Sequence, residues 1–535
     1  MATVEDDPIR AVRNQPPPLQ PINLLDSDLA LREALEREGG DWGVERAREA
    51  GTVAGGVEAL EHGRNAERNQ PVLRTHDRYG RRVDEVAMDA SWHWLLGGAV
   101  ERGIHSLPWR GGRQGAHVVR AALFLLWGHA DAGVMCPVSM TSAAVPALRD
   151  SAPDLAAEWE PRLTSNDYPA GSLAGMAMTE RQGGSDVRAN LTRALPLGDG
   201  VYELRGHKWF CSYPPCDVFL VLAQAPGGLS CLLVERGPGM EFQRLKDKLG
   251  TRSLPSSEVE FLGVHGRLVG EEGRGVRAII GMVTHTRLDC ILGATTTMRR
   301  GVLEALHHAR HRSAFGRLLS EQPAMRNVLA DLAIESEAAT AAALRVARSF
   351  DEDSELPFRR LATPVMKYWT CKRAAPHAAE ALECLGGNGF VEDSGMPLLY
   401  RDAPLNSIWE GSGNVAALDV LRAAAREPES LPAFLGECGL AAGVDRRLDA
   451  HLGRLRERVA AIAAEGDGDS GQFQARRVVE DLALALQASL LVRYAPPAVA
   501  DAFCAARLDG EGGHAYGTLP SGVDAAAILE RALPA

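Results

Sequence analysis

The stretch AIIGMVTHTRLDCILGATTTMRRGVLEALHHARHR, residues 278–312, decides the fold class of this 535-residue chain. Apolar residues recur along it at helical spacing, which predicts one long helix. Three more helical patterns follow after short connections, at residues 325–350, 364–386 and 414–426. Four long helices joined by short connections favour an antiparallel bundle.

The residues before this helix differ from it in composition and in hydrophobic pattern. Between about Ala174 and Leu268, short runs rich in Val, Phe, Tyr and Trp alternate with Gly and Pro, as in VYELRGHKWFCS at residues 201–212. Such alternation, punctuated by turn residues, predicts strands in a compact β domain. The region before it is mostly helical in pattern, starting with DSDLALREALEREGG at Asp26, which carries a capping Asp and a Gly stop.

These changes of composition and pattern divide the chain into four predicted domains. The predicted fold class is α+β, mostly α. We predict an N-terminal helical domain at residues 1–173, a middle β domain at 174–272, a four-helix bundle at 273–430 and an extra C-terminal helical domain at 431–535. A Pro- and Glu-rich break, REPESLPAF from Arg426, precedes the last of these.

Composition and cysteine usage restrict the class of protein. The formal net charge of −12 argues against a protein that coats nucleic acid with its whole surface. The nine Cys show no Cys-x-x-Cys pair and no His/Cys cluster at metal spacing, so we predict no metal site and a reducing compartment. The acidic start MATVEDDPIRA is unlike a signal peptide, and no apolar run reaches the roughly 18 to 20 residues that span a bilayer. We therefore predict a cytoplasmic protein without a membrane partner.

Five short stretches could carry chemistry, and each also has a purely structural interpretation. A polar turn, a half-buried strand, a helix end, a helix C-cap and a helix-capping Glu would explain them one by one. No G-x-G-x-x-G follows a strand, so a Rossmann nucleotide site is not predicted. The stretches are MAMTERQGGSDV (176–187), GHKWFCS (206–212), RSAFGRLL (312–319), LGGNGF (385–390) and SIWEGSGN (407–414).

Taken in this order, the stretches resemble the acyl-CoA dehydrogenase family of flavoproteins, from about residue 90 to residue 426. The resemblance implies the family fold: an α-helical N-terminal domain, a β-barrel-like middle domain and a C-terminal four-helix bundle. RNQPPPLQPINLL near the start, NQPVLRTHD (69–77) and LLYRDAPLNSIWEGSGN (398–414) resemble the AidB-like branch of that family, which is linked to the adaptive response to alkylation. The extra C-terminal helical segment also resembles that branch.

Glu410 matches the catalytic base of the family. Removing a proton α to a thioester carbonyl needs a carboxylate within hydrogen-bond reach of the substrate. Gly411 lets the backbone come close to a ligand, and burial by Trp409 would raise the pKa of the Glu410 carboxyl. The alternative is that Glu410 caps the following helix near its positive N-terminal end.

The resemblance also implies FAD as cofactor and assigns its contacts by position. The loop after the first strand of the middle domain would touch the pyrimidine side and the phosphates, an aromatic ring would face the flavin, and a hydroxyl would lie near N5. In this loop the usual Pro-Gly after the Thr-Glu pair is replaced by Arg181-Gln182. The corresponding residues are Met178, Thr179, Gly184, Ser185, Phe210 and Ser212.

A second group of predicted contacts would hold the ADP part of a neighbouring subunit's FAD. An Arg suits bidentate contact with a pyrophosphate. Sharing the cofactor between subunits implies a dimer, and in this family a homotetramer built as a dimer of dimers. The residues are Arg312 and Phe315, the turn Gly386, Gly387 and Asn388, and the polar positions Ser412 and Asn414 after the base.

The function implied is α,β-dehydrogenation of a short or branched acyl-CoA, similar to isovaleryl-CoA, with hydride transfer to flavin N5 and low activity. Double-stranded DNA is implied as a further partner, with protection of DNA in the alkylation response. A catalytically silent flavoprotein, acting as a DNA-protective or scaffold protein, is the alternative. From Glu427 onward the chain has 10 Arg, no Lys and 16 acidic residues, so its charges favour a solvated, salt-bridged face over a phosphate-binding one.

Overall fold

A computed structural model of the chain describes residues 11–465 and 468–534. Residues 1–10, which hold nearly all of the acidic start, lie outside the described residues, so the prediction about a signal peptide stays a prediction. No helix among the described residues is long and apolar enough to cross a bilayer. The same residues contain no group of three His, Cys, Asp or Glu side chains arranged to hold a metal ion.

Seven helices and one hairpin form the N-terminal part. The first helix begins where the carboxylate of Asp28 accepts a hydrogen bond from the backbone N–H of Leu31 at 3.0 Å, and it buries Leu31, Ala34 and Leu35. The elements are α1 Leu29–Leu35, α2 Val44–Ala54, α3 Val57–Arg68, β1 Val72–His76, β2 Arg82–Ala87, α4 Ala90–Glu101, α5 Ala116–Trp127, α6 Met135–Ser151 and α7 Pro153–Leu163.

The hairpin formed by β1 and β2 departs from the helical pattern predicted for this region. Its residues alternate between exposed and half-buried, as expected of a strand pair with one face in water. At its base, Arg82 donates a hydrogen bond to the carbonyl oxygen of Phe242 at 2.8 Å. The tertiary contact with a later strand therefore decides the conformation of this short polar segment.

Seven strands make the middle part, and five of them close into a ring. The ring runs β4–β5–β9–β7–β6 and closes where Arg193 of β4 pairs with Gln224 of β6. The long strands β5 and β9 form its most extended pairing, from Val201↔Arg267 to Ser212↔Ser256. The strands are β3 Ala174–Ala177, β4 Arg193–Gly198, β5 Val201–Ser212, β6 Val218–Ala225, β7 Gly228–Glu235, β8 Met240–Leu245 and β9 Ser256–Val269.

The predicted long helix is present and is the centre of a helical bundle. It is buried along most of its length, and it packs against α6, α9 and α10. A two-residue hairpin follows it. The elements are α8 Gly275–His311, β10 Ser313–Ala314, β11 Arg317–Leu318, α9 Pro323–Arg348, α10 Leu356–Cys384, α11 Met396–Asp402 and α12 Gly413–Arg426.

The last segment is helical, as predicted, and packs on the bundle. Arg507 bridges the buried carboxylates of Asp331 and Glu335 on α9, with 3.0 Å to Glu335 Oε2. Trp369 of α10 donates a hydrogen bond to Gln487 at 3.0 Å. The helices of this last segment are α13 Ser430–Gly439, α14 Arg446–Glu465, α15 Asp469–Tyr494, α16 Pro497–Arg507 and α17 Ala525–Ala532. The predicted fold class, α+β and mostly α, is thus confirmed, while the residues chosen as domain boundaries stay predictions.

A buried ion pair joins the N-terminal helices to the bundle. The guanidinium of Arg120 on α5 makes two hydrogen bonds, of 2.6 and 2.8 Å, with the carboxylate of Asp289 on α8. Both side chains are only 4% exposed. A charge at this depth is tolerated because its partner supplies fork-to-fork geometry.

We predict that Arg120→Met lowers the free energy of unfolding by roughly 3–5 kcal/mol, because Asp289 is then left buried without a counter-charge. Urea unfolding followed by circular dichroism measures this, and the double variant R120M/D289L should recover most of the loss. The control is Arg74→Met in the exposed pair with Glu85, which should change stability by about 1 kcal/mol or less. An equal effect of the two single variants would contradict the prediction.

Candidate active site

Glu410 lies in a tight loop that joins the turn at residues 405–407 to helix α12. Its φ angle is 57°, a left-handed conformation that is uncommon for a residue with a side chain. Arg287 of α8 donates a hydrogen bond from Nε to the Glu410 carbonyl oxygen at 3.0 Å, and Lys367 of α10 donates to the carbonyl oxygen of Gly411. Two cations on two helices therefore hold the strained backbone in place.

The carboxylate of Glu410 is half-buried and has one hydrogen-bond donor. The hydroxyl of Thr286, one residue before Arg287, donates to Oε2 at 2.7 Å. Burial raises the pKa of the Glu410 carboxyl above its ordinary value, against the opposing effects of the Thr286 hydrogen bond and the charges of Arg287 and Lys367. A carboxylate with a raised pKa is a better proton acceptor than an ordinary surface Glu.

Arg287, which binds the backbone of Glu410, is itself held by an ion pair. Arg287 Nη1 lies 2.6 Å from the carboxylate of Asp419 on α12, and Arg360 of α10 reaches the same carboxylate at 3.1 Å. Trp409, next to Glu410, donates a hydrogen bond to Asn406 at 3.2 Å, and its indole packs on a small buried cluster from α8, α9 and α10. The loop is thus tied to three helices of the bundle.

Cys136 is a buried residue at the start of α6, near Glu410 and the predicted flavin contact Ser212. Burial raises the pKa of this thiol to about 12, and the charge of Glu410 adds to the rise, so the thiol stays protonated. Ser212, at the end of β5, and Glu410 are therefore both near this thiol. Sequence reasoning did not single out Cys136, because no local motif marks it.

The loop after β3 carries four of the predicted flavin contacts and folds back on itself. A Cβ placed on Gly184 would overlap the side chain of Thr179, so the two ends of the loop touch. Met178 and Thr179 are half-buried, while Gly184 and Ser185 are exposed. Backbone and hydroxyl donors are thus presented to open space, as a polar heteroaromatic ring or a phosphate requires.

A buried ion pair between Glu180 and Lys208 holds this loop in place. Both side chains are fully buried, 2.8 Å apart. The Glu180 carboxylate also accepts hydrogen bonds from the backbone N–H groups of Leu191 at 2.6 Å and Thr192 at 3.1 Å. Burial alone would raise the pKa of Glu180, but the charge and hydrogen bond of Lys208 outweigh it and lower the pKa to about 2. Burial lowers the pKa of Lys208 to about 8, so both groups are charged at neutral pH.

Phe210 and its neighbour Trp209 lie in β5 where its pairing with β9 shifts register, between Lys208 and Cys211. The ring of Phe210 is 49% exposed, which is unusual for an aromatic side chain within a strand. The indole of Trp209 has the ammonium group of Lys246 over its face, 3.2 Å from the ring centroid. Cations of Arg181 and Arg244 approach the same indole at 5.7 Å. Of this pair, sequence reasoning identified only Phe210.

The residues predicted to hold an ADP moiety lie on two exposed turns. Arg312 ends α8, and Phe315 follows in the β10–β11 turn, with a φ of 52° and a fully exposed ring. Gly386 and Gly387 have no other heavy atom within 4 Å of a Cβ built on them, so a ligand could approach their backbone. Residues 14 and 15 contact both turns, through Arg312 and Asn388. Within the described residues, no hydrogen bond joins these turns to Glu410 or Ser212.

Ser412 and Asn414 open helix α12. Ser412 is the N-cap residue, yet its hydroxyl makes no capping hydrogen bond and is exposed. The side-chain oxygen of Asn414 accepts a hydrogen bond from Arg476 of α15 at 2.8 Å. Arg476 belongs to the extra C-terminal segment, so sequence motifs within the bundle did not reveal it.

Comparison with known proteins follows the same division of the chain. The family description "Adaptive response protein AidB N-terminal domain" matches residues 14–170. "Acyl-CoA dehydrogenase, middle domain" matches residues 175–264, and "Acyl-CoA dehydrogenase, C-terminal domain" matches residues 273–425. The AidB protein of Escherichia coli K12 is 42% identical over 521 residues, which cover 94% of this chain and 95% of that protein.

Two solved structures extend the comparison to the fold. Caenorhabditis elegans ACDH-11 in complex with C11-CoA is similar with a TM-score of 0.84 at 28% identity, over 97% of this chain and 92% of that one. An acyl-CoA dehydrogenase from Bacillus anthracis complexed with FAD is similar with a TM-score of 0.66 at 19% identity, over 78% of this chain and 81% of that one. The predicted fold, helical domain, barrel-like sheet and helical bundle, is confirmed.

We predict that Lys208→Met loosens the loop after β3. With Lys208 gone, the Glu180 carboxylate must take up a proton or leave its buried position, and its hydrogen bonds to Leu191 and Thr192 weaken. Hydrogen exchange read by mass spectrometry should therefore speed up at residues 178–192 by at least about tenfold. Arg205→Met, in an exposed pair on the same strand, is the control and should leave that segment unchanged.

Proposed function

We propose that this chain, which belongs to the acyl-CoA dehydrogenase family and within it to the AidB-like branch, catalyses the α,β-dehydrogenation of a short or branched acyl-CoA with Glu410 as base. One observation carries the proposal. Glu410 is held in a strained backbone conformation by Arg287 and Lys367, and its half-buried carboxylate receives a hydrogen bond from Thr286. A residue that merely capped a helix would need none of these supports.

FAD is the cofactor of this protein, and its residues fit a flavin. The half-exposed ring of Phe210 and the hydroxyl of Ser212 offer a face and a donor at the end of β5. The loop at residues 178–185 adds backbone donors in open space, and the hydroxyl of Ser412 is not used in capping. When bound, FAD accepts the hydride that leaves the β carbon of the acyl thioester.

The chain's own residues supply the proton transfer. Glu410 takes the proton from the α carbon, and the Thr286 hydroxyl fixes the orientation of the carboxylate that receives it. The raised pKa favours holding that proton once it has been transferred. Cys136, buried near Glu410, stays protonated and does not compete as a base.

We further propose that two copies of the chain share each FAD, within a homotetramer. Support comes from apolar side chains that a lone chain leaves in water next to the predicted ADP-binding turns. Phe315 is 100% exposed, Phe390 is 82% exposed and Val391 is 54% exposed. Exposed aromatic residues of this kind mark surfaces that bury themselves against a partner.

The substrate class follows from the family and from the similar solved structures. A CoA thioester is bound in the ACDH-11 complex, and we propose an acyl-CoA here, of the isovaleryl type, turned over slowly. The test is an anaerobic titration of the purified protein with a panel of acyl-CoAs while the oxidised-flavin absorbance is followed. Stoichiometric bleaching by one of them supports the proposal. An unchanged band with every acyl-CoA, in protein that carries FAD, would favour a catalytically silent flavoprotein.

The charges of the C-terminal segment do not support binding of double-stranded DNA. Most of its arginines are already paired with carboxylates, and Arg447 pairs with Asp445 at 2.6 Å. Asp449 accepts hydrogen bonds from the backbone N–H of Gly443. The other pairs are Arg458–Asp481, Arg477–Asp481, Arg493–Glu437, Arg507–Glu335 and Arg531–Glu337. A DNA-protective or scaffold role therefore stays the alternative, without a phosphate-binding face to carry it.

The compartment we propose is the cytoplasm. All nine cysteines are free thiols, and each of them is buried. A chain with this many unpaired thiols suits a reducing environment, in which disulfides do not persist.

We predict that Glu410→Gln retains FAD but slows flavin reduction by an acyl-CoA roughly 10²- to 10⁴-fold, the usual contribution of a positioned base. Gln keeps the size of the side chain and its hydrogen bond with Thr286, so the loop should stay folded. Stopped-flow absorbance under anaerobic conditions measures the rate. Normal reduction in E410Q would exclude Glu410 as the base.

We predict that Thr286→Val moves the pH profile of flavin reduction to higher pH. The base acts when ionised, so the rate rises with pH through the pKa of Glu410, and loss of the Thr286 hydrogen bond destabilises the ionised form. The control is Thr295→Val, a buried Thr of the same helix whose hydroxyl bonds to the carbonyl oxygen of Ile291. A shift to lower pH in T286V, or an equal shift in T295V, would contradict this assignment.

A further inference from the structure

A segment near the N-terminus lies across the two turns predicted to hold the ADP moiety. We call residues 13–20, RNQPPPLQ, the N-terminal strap. It precedes helix α1 and has no helix or strand of its own. Its side chains at Asn14 and Gln15 are exposed, whereas Leu19 and the following Ile22 pack against the hydrophobic core.

Asn14 pairs with the turn that follows helix α8. Its side-chain amide donates to the carbonyl oxygen of Ser313 at 2.8 Å, and its side-chain oxygen accepts from the backbone N–H of Ser313 at 2.7 Å. Arg312 donates from Nη1 to the Asn14 carbonyl oxygen at 2.8 Å. Asn14 has a φ of 54°, a conformation that Asn tolerates better than most residues. The side chain of Asn14 thus makes with Ser313 the pair of hydrogen bonds that a neighbouring strand would make at the edge of the β10–β11 hairpin.

The next residues of the strap reach the second turn and the helix. The amide of Asn388 donates to the side-chain oxygen of Gln15 at 3.1 Å. A ring nitrogen of His307, near the C-terminal end of α8, lies 2.8 Å from the carbonyl oxygen of Pro17. The strap therefore contacts both the 312–316 turn and the 386–388 turn.

Three consecutive prolines give the strap its stiffness. Pro fixes φ, so Pro16–Pro18 favour an extended polyproline conformation and lose little entropy on ordering. Leu19 and Ile22 pack against the core at the C-terminal end of the prolines. Because the prolines are stiff, they restrict the positions of Asn14 and Gln15 at the other end. The strap behaves as a short rigid arm, not as a loose tail.

We propose that the N-terminal strap is a positioning element of the cofactor site, which pre-organises Arg312 and Asn388 to receive the ADP part of FAD. This inference rests on the proposed function, because that assigns the ADP moiety to these two turns. Pre-organisation strengthens binding because the ordering of the site does not have to occur when the ligand arrives.

The hydrogen bonds leave the ligand-binding groups available. A guanidinium has five N–H donors, and Asn14 engages Arg312 through Nη1 alone. Asn388 gives one amide hydrogen to Gln15 and keeps its side-chain oxygen, while the backbone of Gly386 and Gly387 stays open. The strap therefore supports these groups from one side and does not take the place of a pyrophosphate.

The test uses the full-length protein with its FAD removed and then titrated back, with flavin fluorescence as the readout. We expect Asn14→Ala to raise the Kd of FAD about tenfold, because two side-chain hydrogen bonds to Ser313 are lost. Replacing Pro16-Pro17-Pro18 by Gly-Gly-Gly keeps every side-chain hydrogen bond and removes only the stiffness, so it should also raise the Kd.

Asn23→Ala is the matched control. Asn23 caps the backbone N–H groups of Leu25 and Asp26 just after the strap and touches neither turn, so its loss should leave the Kd of FAD unchanged. An unchanged or lower Kd in both strap variants would overturn the inference, as would an equal rise in N23A. Wild-type protein that cannot rebind FAD would instead overturn the proposed function, and the inference with it.

Discussion

The left-handed backbone of Glu410 is the constraint around which this site is built. A residue with a side chain adopts such a conformation at a cost of order 1–3 kcal/mol, so the surroundings must impose it. Arg287 and Lys367 do so by binding two successive carbonyl oxygens, and Asp419 holds Arg287 in turn. The three helices that carry these groups must therefore be packed before this backbone conformation can form, which couples the proposed chemistry to the integrity of the bundle.

Much of the fold could be predicted from the sequence because helices α8, α9, α10 and α12 each carry their own apolar periodicity. The hairpin at residues 72–87 could not, because it depends on contacts with a strand some 150 residues later, including that of Arg82 with Phe242. The same limit applies to the site. Glu410 could be proposed from a local motif, but Arg476 reaches Asn414 from a distant part of the chain, and Cys136 comes near Glu410 from another helix.

The extra C-terminal segment shares a hydrophobic core with the rest of the protein and is also joined to it by polar contacts of its arginines. Arg507 reaches Asp331 and Glu335 on α9, and Arg476 reaches Asn414 at the start of α12. Most of its arginines are thus engaged, either with carboxylates outside the segment, as Arg507 is, or with carboxylates of the segment itself, as Arg458 is. An Arg-rich composition is for this reason a poor guide to phosphate binding here, whereas the position of each guanidinium in the structure is informative.

The nine buried thiols have a consequence for the chemical durability of the protein. Only the thiolate form of a cysteine attacks electrophiles, and burial raises the pKa of Cys136, Cys211 and Cys371 to about 12. At neutral pH such groups are almost entirely protonated. Electrophiles and peroxides therefore find few reactive cysteine sulfur atoms while the chain is folded.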